Sequence, residues 1–152
     1  MTIAQLRDKV KAAVNGVTLA SPFSEYDFIE GYLSDMNNVH NRTNPLCILS
    51  IFKTTEDRNL PIADHTISLK FLYPIPESMQ TELVQYSQDY YHTLFSQFDT
   101  DINSAITLLL ANDDINLKSN ITRSRTPYNG VQKLWLINVE FTIQTHFSCY
   151  FT

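Results

Sequence analysis

Asp99-Thr100-Asp101-Ile102-Asn103 opens like a calcium loop, with oxygen donors at its first, third and fifth positions. The pattern then fails. Ser104 stands where the sixth position needs glycine, and Leu110 where the twelfth needs a bidentate glutamate. A solvated cap at a helix start explains these residues better. His40, His65, His92 and His146 lack the close pairing of metal ligands. Asp64 and His65 are adjacent on an extended segment, so their side chains point apart. Cys47 and Cys149 sit in apolar strand patterns and are expected as buried free thiols. Spacing alone leaves open a pair of either cysteine with His146, although neither thiol has a cationic neighbour or helix N-terminus to activate it. The carboxylate pairs Glu56-Asp57 and Asp113-Asp114 fall in turn-like segments and read as solvated. Gly16, Gly31 and Gly130 lie too far apart to make a phosphate-cradling loop. The expectation is a protein with no catalytic residues, no cofactor and no metal.

Composition sets the class. A chain of 152 residues with 43% hydrophobic and 18% charged side chains buries a real core, and is expected to form a single domain over 1–152. Its net charge of −5 argues against sequence-specific nucleic-acid binding, which needs a basic surface. Arg123 and Arg125 are the only basic cluster, and a short one. Arg7, Asp8, Lys9 and Lys11 interrupt the N-terminal stretch, which therefore does not read as a signal peptide. The apolar run around Leu108 to Ala111 is too short to span a bilayer, so no membrane partner is expected.

The elements follow from periodicity. Thr2 and Gln5 form a capping box, and Ile3, Leu6, Val10, Ala13 and Val14 share one face, which predicts a helix over 3–15 stopped by Asn15-Gly16. Phe28, Ile29, Tyr32, Leu33 and Met36 have helical spacing and predict a second, short helix after Ser24. Leu46 to Phe52 and His65 to Tyr73 read as antiparallel strands joined by a long charged connection, Glu56 to Pro61. Ser78, Thr81 and Glu82 open the main helix, with Leu83, Tyr86, Tyr90, Tyr91, Leu94, Phe95 and Phe98 on its apolar face. A second helical piece over Asp99 to Ala111 turns Ile102, Ile106 and Leu109 inward. A weaker strand covers Ile115 to Arg125, and Asn129-Gly130 then marks a hairpin into a long final strand. The order is α-(α)-β-β-α-β-β: an α+β fold, an antiparallel sheet of about four strands with helices packed on one face.

The final strand is the most unusual segment. Trp135, Ile137, Val139, Phe141, Ile143, Phe147, Cys149 and Phe151 alternate with mostly polar residues, and only Thr145 breaks the apolar set. Drawn straight, such a run spans roughly 55 Å, whereas a domain of this size is about 30–40 Å across. The strand must bend, or its end must meet another chain. Thr145 to Thr152 is the excess, and Thr145, His146, Phe147, Tyr150 and Phe151 are the candidate assembly interface.

Several local patterns resemble a known family. These are the N-terminal amphipathic helix, the strand opening Asn44-Pro45-Leu46-Cys47-Ile48-Leu49, the strand ending near Leu72-Tyr73, the aromatic-rich helix with Ser87-Gln88-Asp89-Tyr90, and the last strand GVQKLWLINVEFTIQTHFSC from Gly130 to Cys149. Together they resemble the small tail-completion or tail-terminator-type proteins of tailed bacteriophages, in particular those infecting Bacteroidetes, and among them the ring or connector subunits of crAss-like phages. The resemblance implies a structural virion protein that forms a closed homo-oligomeric ring at the head–tail junction. Its partners would be copies of itself and other neck, portal or tail proteins, with DNA passing through the ring, and the family supplies no catalytic residues. A second class, a non-viral cytosolic protein-binding or adaptor domain without catalysis, is separated from it by the assembly state.

Overall fold

The computed structural model describes residues 1–19, 23–31, 43–75, 77–128 and 131–146, without side-chain detail over 77–91 and 127–133. The first helix, α1 (Ile3–Asn15), is set by its own ends. The Thr2 hydroxyl accepts from the Gln5 N–H at 3.1 Å while Gln5 Oε1 accepts from the Thr2 N–H at 2.8 Å, completing the capping box. Leu6, Val10, Ala13 and Val14 are buried, but Ile3, expected on that face, is 42% exposed at the first turn. Gly16 does not stop the helix in a left-handed turn, because its φ is −79°. What it supplies is room: a Cβ there would lie 3.2 Å from Leu108 Cδ1, so glycine lets the end of α1 approach the second helix closely.

The short helix expected after Ser24 is replaced by a strand, β1 (Asp27–Glu30). Phe28 packs against the main core and Ile29 against a separate cluster, so the two adjacent apolar residues serve opposite faces, as a strand requires. Gly31 ends the strand with a φ of 140°, a conformation left to glycine. Tyr32, Leu33 and Met36 lie outside the described residues.

Next come β2 (Leu46–Glu56) and β3 (Ile62–Pro74), an antiparallel pair longer than the apolar runs suggested. The connection between them is correspondingly short. Asp57 Oδ1 accepts from the N–H groups of Asn59 (2.7 Å) and Leu60 (2.8 Å), a carboxylate-held turn that lets Glu56 remain in its strand. A register shift between Ile51 and Lys53 marks a bulge at Phe52.

One unbroken helix follows, α2 (Glu77–Leu110), in place of the two expected pieces. No glycine or proline interrupts it, and Asp99 is held by arginines of the sheet instead of capping a new start. Leu94, Phe98, Ile102, Ala105, Ile106 and Leu109 are buried, the inward set the spacing predicts over this half of the helix. The expected contacts of Leu83, Tyr86, Tyr90 and Tyr91 lie outside the described residues.

The weaker strand over 115–125 is two strands, β4 (Ile115–Leu117) and β5 (Thr122–Tyr128), both lying along β6 (Val131–His146). Tyr128 pairs with Val131, so only Asn129 and Gly130, themselves outside the described residues, join β5 to β6. Between β4 and β5 the chain still covers the edge of β6: Lys118 N–H donates to the Thr142 carbonyl and Thr142 N–H to Ser119 Oγ, both at 2.8 Å.

Among the described residues the sheet has six strands, ordered β1-β2-β3-β6-β4 with β5 also on β6. It is mixed, not purely antiparallel, because β1 runs parallel to β2. Both helices contribute to the main core, which lies over Cys47, Leu49, Ile67, Leu69, Phe71, Tyr73, Ile137, Val139, Phe141 and Ile143. A smaller cluster of Leu46, Ile48, Leu72 and Leu134 occupies the other face. The Tyr73 ring stacks on Phe98 at 3.9 Å, and its hydroxyl bonds that of Tyr26, which ties the sheet to α2 through one aromatic layer. No described helix is long and apolar enough to cross a membrane.

Candidate functional site

The sequence directs attention to the end of β6, and the structure divides the candidate residues there. Thr145 is fully buried and pairs with Ala63 of β3 and Ile115 of β4. Its Oγ1 lies 3.0 Å from His65 Nε2, and His65 Nδ1 lies 2.9 Å from Thr54 Oγ1. A Thr–His–Thr chain thus crosses β2, β3 and β6 on the helix-facing side. Thr145 is therefore not where the strand leaves its core, and a neighbouring chain has no access to it. Its polar character is matched by His65, the other polar residue on the inward parity of its strand, and that coincidence is the signal in the sequence that could have linked them. His146 is exposed, and its carbonyl accepts from the Met1 ammonium at 2.9 Å. Phe147, Tyr150 and Phe151 lie outside the described residues. Beside His146 is an open groove of about 620 Å³, lined by Met1, Gln5, Asp8, Lys9, Pro61, Asp114 and His146.

Burial pushes the His65 pKa below its ordinary 6.5, helped by the Met1 ammonium and opposed by Asp64. The folded state then favours neutral imidazole. As pH falls below about 6.5 the unfolded chain takes up the proton first, so stability declines until the folded pKa is passed. His65→Gln should flatten the dependence of melting temperature on pH between about 7 and 5; an unchanged slope would assign it to other groups.

The remaining chemical candidates have structural partners. Asp99 and Asp101 are about 200° apart around α2 and cannot converge on one ion. Asp99 instead receives Arg123 at 3.0 Å and Arg125 at 2.5 Å, and Asn103 Oδ1 receives Arg123 at 2.6 Å. The short basic cluster is thus a brace from β5 to α2, a long-range pairing that spacing does not reveal. Arg125 also lies over the Phe95 ring at 6.0 Å, and Phe95 meets Trp135 edge-on at 5.1 Å. Asp114 pairs with Lys9 at 3.5 Å, and Asp57 holds its turn. Asp64 accepts from Gln144 at 3.1 Å, and His92 is exposed on α2.

Cys47 is buried and free, and burial pushes its thiol pKa up, away from reactivity. It pairs with Phe71, whereas His146 pairs with Ile62 on the same strand. That separation is about 30 Å along β3, so Cys47 and His146 make no catalytic pair. Cys149 and His40 lie outside the described residues. Among the described residues no three His, Cys, Asp or Glu side chains gather to hold a metal. Added calcium or zinc should leave the melting curve where it is. A rise of several degrees that Asp101→Ala abolishes would establish a site.

No model of a known protein family matches the chain, and no curated protein matches it.

Proposed function

We propose that this protein is a structural virion protein, a subunit of a ring at the phage head–tail junction that seals the tail or joins it to the portal. The observation that carries the reading is the way β6 is used. β3 pairs along one side of β6 out to Ile62–His146, and β4, β5 and their connection cover the other side. The strand is complete within its own sheet at His146, yet the alternating apolar sequence continues through Phe147 and Phe151. A segment of that kind is suited to a neighbouring subunit, and contacts made by different faces of identical copies close into a ring when the rotation fits. The net charge of −5 is compatible with a channel along which DNA slides without sticking. The partners are other copies of the chain and neighbouring neck, portal or tail proteins, assembled in the bacterial cytoplasm and carried in the virion. Mass spectrometry and negative-stain imaging of purified virions test the reading. The protein should be present in a small fixed copy number at the neck, and its absence from virions would refute it.

A further inference from the structure

The receiving surface for that segment is identifiable, and the inference rests on the ring reading only for its biological setting. We propose that the outer edge of β2 from Ser50 to Glu56 accepts residues 147–152 of a second copy as an added strand. β1 pairs with β2 only at Leu46–Leu49, and among the described residues no strand lies outside the rest of β2. The other side of that stretch is held by β3 almost to its end, Glu56 pairing with Ala63, so its backbone is ordered in advance for pairing. Its side chains from Phe52 to Glu56 are all exposed, Phe52 by 50%. The occupant matches in kind and length. Phe147, Cys149 and Phe151 alternate with Ser148, Tyr150 and Thr152 over six residues, against the seven from Ser50 to Glu56.

Reach decides that the donor is another copy. β6 runs parallel to β2, since each is antiparallel to β3, and both finish at the same end of the sheet. To pair outside its own β2 the chain leaving His146 would cross three strand spacings, about 14 Å, and then reverse direction. At about 3.3 Å per residue the crossing takes at least four of the six residues, leaving too few for a ladder. A neighbour's segment needs no reversal. Donor and acceptor are different surfaces, so the contact is heterologous and propagates from copy to copy.

Native Cys149 provides the test. Lys53→Cys and Thr55→Cys, each in the full chain, should give a ladder of disulfide-linked dimers and larger species under mild oxidation. Adding Cys149→Ser should abolish the ladder, and light scattering should show an oligomer that removal of 147–152 converts to monomer. An intramolecular disulfide, no cross-link in either variant, or a monomer at every concentration overturns the inference. Strand exchange in a protein missing from virions would refute the ring reading alone, and a virion protein without the cross-link would refute the exchange alone.

Discussion

A chain cut after Gln144 should lose about 3–5 kcal/mol of stability, while one cut after His146 should stay within about 1 kcal/mol of the full chain. The first cut removes Thr145, which is fully buried, and with it the hydroxyl that His65 Nε2 bonds inside the sheet. Loss of a buried hydrogen-bond partner alone costs about 1–3 kcal/mol. The cut also strips the last ladder pairs to Ala63 and Ile62 of β3 and the pair to Ile115 of β4. Against a total of about 5–15 kcal/mol this is a large share. For a domain of this size it lowers the melting temperature by about 8–15 °C. The second cut leaves every described pair of β6 intact and removes only the segment assigned to assembly. Urea unfolding of both forms, beside light scattering, separates fold from assembly. Equal stability of the two truncations would mean that Thr145 adds nothing to the core, and instability of the longer one would place 147–152 in the fold of its own domain.

Leu6→Asp should be at least as damaging, costing about 3–5 kcal/mol, because it puts a carboxylate into the apolar layer where α1 meets the core. Ile3→Asp, one turn earlier on the same nominal face, should cost less than about 1 kcal/mol, since Ile3 is 42% exposed. The contrast tests how α1 is seated. Similar losses at both positions would mean that its buried stripe reaches the first turn, and no loss at Leu6 would mean that the helix does not belong to the core.

Much of this architecture was legible because its cause is local. The capping box needs only Thr2 and Gln5, and the inward stripe of α2 from Leu94 to Leu109 follows from 3.6-residue spacing. The two faces of β6 follow from period two and hold out to Ile143 and Thr145. Where reading by period went wrong, competing partners intervened. Phe28 and Ile29 look helical until β2 offers a parallel neighbour and a core on each side. Asp99 looks like a cap until Arg123 and Arg125 arrive from β5 and the helix continues through it.

The sequence by itself determined the α+β class, the inward stripes and the length of the last strand, because periodicity and capping act between residues a few positions apart. Only the tertiary structure decided that Thr145 belongs inside, since its partner His65 lies eighty residues away and their 3.0 Å contact exists only once β3 and β6 are in register. It likewise decided which strand edge is left uncovered beyond Leu49, because strand order is a property of the assembled sheet and not of any segment in it.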